Sequence, residues 1–212
     1  MAGAAGPRRT ARGEAREAAL RDRAGEMFLA RGYDGFSLDE LVRDVGGSKG
    51  AVYSFYGGKD GLFVAAMESL IEEITVPVKQ LSLDGLSVEE GLRRFAATLL
   101  AMLLLPRHLD FQRLVIAEGR RHPQVAADWY RVGPRATHAI LARFLATAQA
   151  RGTIRPEPDP TAVAVLFHNM VVFDLMTRAL TGTDIPGIDA VATTIDHAVS
   201  FTAAALLPGT GS

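Results

Sequence analysis

Between Ser37 and Lys59 the chain is cut by small and capping residues so closely that it has room only for two short helices. Ser37, with Glu40 three positions later, makes a capping-box pattern in which each side chain satisfies the other residue's orphan backbone N–H. Leu38, Leu41, Val42 and Val45 then line one side of a helix that Gly46-Gly47 ends. Ser48 is placed to cap a second helix, Lys49 to about Tyr56, which Gly57-Gly58 closes. A longer helix from Lys59 carries Leu62, Phe63, Ala66, Met67, Leu70 and Ile74 on one stripe. Pro77 should kink or end it, because proline removes a backbone donor and clashes with the preceding turn. Two short helices on either side of a tight glycine turn have helix-turn-helix spacing, in which the second helix enters the DNA major groove and the first crosses the backbone.

Plain packing of two helices is the alternative, and three features weigh against it. The second helix is small or polar over much of its surface, at Lys49, Gly50, Ala51, Tyr53 and Ser54, and keeps Val52 and Tyr56 for a core. Gly50 sits inside a helix, where glycine costs about 1 kcal/mol relative to alanine. That cost makes sense if a phosphate or base must come close. Lys49 and Lys59 are two of only three lysines in the chain. Both lie near helix N-termini, where free amides and the helix dipole already favour a phosphate.

The rest of the chain also reads as helix, so the predicted class is all-α with about nine helices. Leu20, Ala24, Met27 and Phe28 recur at helical spacing from about Arg12 to Arg31. Beyond Gly85, helices are expected over 87–105, 107–120, 124–151, 159–181 and 187–207, with Gly133-Pro134 bending the third of these rather than breaking it. No segment alternates with period two. The domain reading is a flexible basic arm over 1–13 with Arg8, Arg9 and Arg12, a helix-turn-helix head over 14–60, and a larger helical body over 61–208.

Composition excludes several kinds of function. With 48% apolar residues the chain can bury a sizeable core, and a net charge of −1 means that any nucleic-acid contact must come from a local patch. The absence of cysteine removes disulfides, thiolate metal sites and cysteine nucleophiles, and suits a reducing cytoplasm. Met1 to Gly13 lacks the apolar stretch of a secretory signal. The longest apolar run, Phe95 to Leu105, is too short to span a bilayer of about 30 Å, so no membrane partner is expected. The five histidines form no metal or catalytic motif with neighbouring carboxylates or nucleophiles. The chain therefore reads as a non-enzyme without cofactor or metal.

The stretch from Leu20 to Met67, with "FLARGY" at Phe28–Tyr33, then "FSLDELV", "GSKGAVYSFY" and "KDGLF", resembles the DNA-binding head of the TetR (tetracycline-repressor) family in both its pieces and their spacing. Gly47 stands where the family usually has an apolar residue, a change expected to loosen the turn, and Phe55-Tyr56 stands where it often has His-Phe. The expected DNA contacts are Ser37, Ser48, Lys49, Gly50, Ala51, Tyr53, Ser54, Phe55 and Lys59. Ser37, Tyr53 and Lys59 are assigned to phosphates, and Lys49, Ala51 and Ser54 to base edges.

The resemblance also implies a two-fold dimer on a roughly palindromic operator, a small-molecule effector bound inside the body, and dimerisation through the last two helices. Phe111 to Arg155 loosely resembles the AcrR-like members. Expected pocket residues are Phe95, Leu99, Met102, Phe111, Val115, Glu118, Trp129, His138, Phe167 and His168, with Gln112 and Asn169 as further polar groups. Core packing is the alternative for each bulky one. A mostly apolar pocket with a few polar groups suits an apolar or amphipathic ligand. The rival readings are a TetR-like activator and a helical ligand-binding protein that does not bind DNA.

Overall fold

A computed structural model describes residues 11–208. These form eleven helices and no strand among the described residues: α1 (Ala11–Arg31), α2 (Leu38–Val45), α3 (Lys49–Tyr56), α4 (Lys59–Ile74), α5 (Val76–Lys79), α6 (Val88–Leu103), α7 (Pro106–Glu118), α8 (Pro123–Val132), α9 (Pro134–Ala150), α10 (Pro160–Thr181) and α11 (Ile188–Leu206). The nine expected helices are all present, and two differences raise the number. A four-residue turn, α5, follows α4, which stops at Ile74 just before the Val76-Pro77 pair. The expected helix over 124–151 is broken rather than bent. Pro134 has no N–H to continue the ladder and disfavours helical backbone at Gly133, whose ψ is −100°. The arm is shorter than expected, because Ala11, Arg12 and Gly13 already belong to α1; Arg8 and Arg9 lie outside the described residues.

Two apolar cores organise the molecule. The first gathers Leu20, Ala24, Met27 and Phe28 of α1 with Leu41, Val52 and Phe63, and its centre is aromatic: the Phe28 ring stacks on Phe36 at 4.2 Å and meets Phe63 edge-on at 5.0 Å. This core does not stop at the expected boundary after residue 60. Phe111, Leu114 and Val115 of α7 and Val125 of α8 are buried in it. Head and body are thus joined by shared packing, and Arg107 at the start of α7 reinforces the join by pairing with Glu26 of α1 and Glu73 of α4. The second core is built by α6, α9, α10 and α11 around Leu92, Phe95, Leu99, Leu145, Phe167 and Val171.

The chain returns through an α10–α11 hairpin. By length and composition α10 is the one described helix apolar enough to cross a membrane. Its apolar residues point two ways instead: Ala164, Phe167, Val171 and Leu175 are buried, while Leu166 and Phe173 are exposed.

Candidate functional site

The head presents α3 with one side buried and the other open. Val52 is fully buried, which orients the helix, and the Tyr56 hydroxyl donates to the Glu17 carbonyl to tie its end to α1. Ser48 caps it by accepting from the Ala51 N–H at 3.3 Å. Lys49, Gly50, Tyr53 and Ser54 are left exposed. An added Cβ on Gly50 would meet only the Ser48 hydroxyl, at an ordinary 3.6 Å. Nothing within the described chain therefore requires glycine there.

Several expected contacts have other engagements. Lys49 pairs with Asp39 across the α2–α3 turn at 2.8 Å. The Lys59 ammonium lies 4.3 Å above the Tyr33 ring and bonds the Phe36 carbonyl at 3.5 Å. Phe55 is half-buried against the head core, and Ala51 is half-buried beside it. Ser37 caps α2 by accepting from the Glu40 N–H, but the capping box is not completed, because the Glu40 carboxylate is drawn to Arg31. That pairing holds the Glu40 carboxyl below the usual carboxylate range.

Gly47 does not loosen the turn. Its φ of +144° suits glycine, and an added Cβ would come within 2.5 Å of the Arg16 guanidinium. That guanidinium reaches the Gly46 carbonyl at 2.6 Å and fastens the turn to α1. Arg16 was not anticipated, since its role rests on a contact between residues thirty positions apart. Arg43, exposed on α2 and without an ion pair among the described residues, was missed too, having no local motif around it.

Behind the head, the α7–α8 turn is clasped by aromatic side chains. His122 is buried, with its ring 4.6 Å from Phe63 and 5.2 Å from Tyr33. Arg121 lies 4.1 Å from the centre of the same Tyr33 ring and reaches Asp34 at 3.6 Å. The Tyr33 hydroxyl donates to Asp60. Burial and that bond push the Tyr33 pKa up to about 12, while the Asp60 carboxyl is held below its ordinary value, chiefly by accepting from Tyr33. From this clasp α8 runs to Trp129 and Val132, which wall a cavity in the body.

That cavity has a volume of about 470 Å³. Leu99, Met102, Trp129 and His168 line it as expected, as do Gln112 and Asn169. Phe95 and Phe167 do not; their rings pack against each other in the body core at 6.2 Å. Phe111 and Val115 belong to the core shared with the head, and Glu118 lies beside Tyr33. The cause is the facing of α7: His108, Gln112 and Ile116, four residues apart, reach the cavity, while Phe111 and Val115 are turned toward α1. His138 stands behind the wall, its ring 4.6 Å from that of His168.

His108 is the most polar of the lining residues that the sequence reading missed, among them Ile116, Val132 and Thr137. It is buried, with the Gln112 amide nitrogen 3.1 Å from its Nε2. Burial pushes its pKa down to about 4. His168 is likewise pushed to about 4, by burial first and the neighbouring His138 second. With no Asp, Glu, Lys or Arg in the lining, the cavity is uncharged at neutral pH.

Known proteins share both halves of this arrangement. Residues 20–66 match the family described as bacterial regulatory proteins, tetR family, and residues 90–205 match the AefR-like transcriptional repressor C-terminal domain, where the sequence suggested a loose AcrR-like resemblance. The chain is 28% identical to the HTH-type transcriptional repressor ComR of Escherichia coli, covering 84% of this chain and 86% of that one. Among solved structures, a TetR-family regulator from Mesorhizobium loti superposes with a TM-score of 0.78 at 26% identity, covering 94% of this chain and all of the other. The flavonoid-responsive regulator FrrA gives a TM-score of 0.74 at 26% identity, over 93% of this chain and all of that one. With a helix-turn-helix head, a helical body around an uncharged cavity, and matches that together span most of its length, the chain belongs to the TetR family of DNA-binding transcriptional regulators.

Proposed function

We propose that this protein is a cytoplasmic repressor that grips a palindromic operator as a homodimer and lets go when an uncharged, largely apolar molecule enters the body. The observation that carries the reading is the open face of α3. Its exposed residues are small, hydroxylated or cationic, and Gly50 is a helix-weakening choice that no contact within the described chain repays. Tyr53 and Lys59 serve phosphates in this reading, with Arg43 as an added candidate, and Lys49, Ala51 and Ser54 serve bases. Lys49 must exchange Asp39 for DNA, which is inexpensive because an exposed ion pair is worth about 0–1 kcal/mol.

The dimer surface is assigned to the α10–α11 hairpin. The two helices run antiparallel across a short loop, so Phe201 falls at the level of Leu166 and Met170. Leu166, Phe173 and Phe201 are 62%, 74% and 70% exposed, a degree that a partner helix pair would relieve. The effector is an uncharged molecule that combines aromatic or aliphatic surface with hydrogen-bonding groups, matched to Trp129, Met102, Gln112 and Asn169. FrrA responds to flavonoids, whose chemistry is of the same kind.

Two helices connect cavity and head. α4 carries Lys59 at one end and Ile74 at the other, and α8 runs from the His122 clasp to Trp129. A ligand that displaces either end changes the separation of the two heads, and a coupling of about 1–3 kcal/mol is enough for a 5- to 150-fold change in operator affinity.

The test is fluorescence anisotropy of the purified protein with DNA flanking its own gene, at several salt concentrations. Selective, salt-sensitive binding that Tyr53→Ala weakens is the expected result. Binding no tighter than to random DNA, genome-wide, favours the ligand-binding protein that does not read DNA. Reporter expression in a deletion strain separates repressor from activator, and the likeness to ComR, a repressor, supports the former.

A further inference from the structure

A second cleft lies away from the head, with a lining distinct from that of the effector cavity although α5 borders both, through Lys79 here and Val78 there. It is bounded by the 79–88 segment, the second half of α9 and Leu207 at the end of α11, and its volume is about 710 Å³. α6 begins in this cleft and ends at α7, beside the head, so its sixteen residues put the cleft about 24 Å from that end at 1.5 Å per residue.

The wall supplied by α9 has two parallel ridges. Ile140, Phe144 and Ala148 form the apolar one; Arg143, Thr147 and Arg151, also four residues apart, form the polar one. Lys79 lines the cleft from α5, and Leu83 and Val88 of the lining are buried. The Phe144 ring is admitted to this position by Gly91, where an added Cβ would fall 2.2 Å from its tip.

Exposed cations without a carboxylate partner occur singly elsewhere among the described residues, at Arg43, Arg94, Arg120 and Arg135, but the cleft brings three into one lining. Arg21, Arg23, Arg31, Arg93, Arg107, Arg113, Arg121, Arg131 and Arg178 each pair with a carboxylate. Among the described residues Lys79, Arg143 and Arg151 have no such partner, although they line one concavity together; Asp84 is the single acidic side chain there, and it is engaged with Ser82. Set against the one carboxylate of Asp84, the three cations leave the lining with a net positive charge, so they repel one another and hold a positive potential in the space between them. An anion relieves that repulsion, and the apolar ridge beside it offers a surface for an attached hydrocarbon.

We propose that this cleft is a second ligand site, separate from the effector cavity, that takes a small anionic amphiphile with its acidic group on Arg143, Arg151 and Lys79 and its apolar part along Ile140 and Phe144. The effector cavity, lacking any charged side chain, selects against the same molecule, because a carboxylate there has no ionic partner to offset its desolvation.

The test is isothermal titration of the full chain with dodecanoate and with dodecan-1-ol, which share a tail and differ in charge. Expected is saturable, salt-sensitive binding of dodecanoate, weakened by about tenfold or more in Arg143→Ala/Arg151→Ala, since charge-assisted hydrogen bonds are lost. Arg143→Lys/Arg151→Lys should retain most of it. Met102→Trp, which fills the effector cavity, should diminish dodecanol binding and leave dodecanoate binding in place. The proposal is overturned if the double alanine variant, folded by circular dichroism, binds dodecanoate as the wild type does, or if Met102→Trp abolishes that binding. Absence of dodecanoate binding overturns it too, and so does capture by phosphatidylglycerol vesicles alone, which would mark a membrane surface. None of these outcomes touches operator binding, so the repressor reading stands or falls separately.

Discussion

Replacing Gly50 by alanine sets the fold against the function at one atom. Gly50 is the second residue of α3, exposed, and an added Cβ meets nothing closer than 3.6 Å. The backbone there is helical, so alanine gains by restricting the unfolded chain, by about 0.5–1 kcal/mol. For a chain of this size that is a rise of about 1–4 °C in Tm, readable by circular dichroism at fixed protein concentration. DNA should respond in the opposite direction. If a phosphate or base edge comes against the Gly50 Cα, the methyl group forces a retreat whose cost, by analogy with overpacking, is about 1 kcal/mol per head. Two heads on one operator double it to about 2 kcal/mol, or roughly thirtyfold in operator affinity. Anisotropy with operator DNA measures this directly. Higher Tm with weaker binding is the expected pair. Higher Tm with unchanged binding would refute the close approach and leave Gly50 without a role. A lower Tm would mean that the fold itself requires glycine, and the use of Gly50 as a pointer to DNA would collapse.

Three further expectations concern the body. His122→Ala removes the ring between Phe63 and Tyr33 and should leave operator affinity within about threefold while abolishing release by any compound that releases the wild type; His122→Phe should keep the response, and unchanged release in the alanine variant would dismiss α8 as a connector. His108 is held neutral in the fold down to about pH 4, whereas the unfolded chain takes up its proton below about 6.5. Stability should therefore fall as pH drops from 6.5 and level off below about 4, by up to about 3 kcal/mol from this group, and urea unfolding of His108→Gln should show a shallower fall. Phe173→Asp puts a charge on the exposed side of α10 and should yield monomers in sedimentation experiments, with operator binding lost; a surviving dimer would move the interface elsewhere.

The head was legible because its signals are local. Serines before helices, glycines after them and a stripe at i, i+3 and i+4 each act within one or two turns, and α2, α3 and the start of α4 fall where those signals put them. What failed in the head was set by distant partners. Glu40 is pulled from its capping role by Arg31, and Gly47 is explained only when Arg16, thirty-one positions earlier, is seen against it. The one complete capping box in the described chain, Ser87 with Glu90, passed unnoticed as a motif, although it starts α6 at nearly the expected residue.

The cavity was harder to read because its helices are apolar on more than one side. α7 offers Phe111, Leu114 and Val115 on one face and His108, Gln112 and Ile116 on another, and periodicity cannot say which face meets the head. Of the expected aromatic lining only Trp129 reaches the cavity; Phe95, Phe111 and Phe167 went to the two cores, where burial of a large ring stabilises most. The cavity was left to the neighbouring ridge with its histidine and amide. α10 repeats the problem at a larger scale: Phe167 is core, His168 reaches the cavity, and Phe173 both borders the cavity and stands 74% exposed beside the proposed dimer face. A side chain that serves two surfaces leaves no single period in the sequence. Such a residue also ties the surfaces together, since a partner helix packed on Phe173 would stand at the edge of the effector's space.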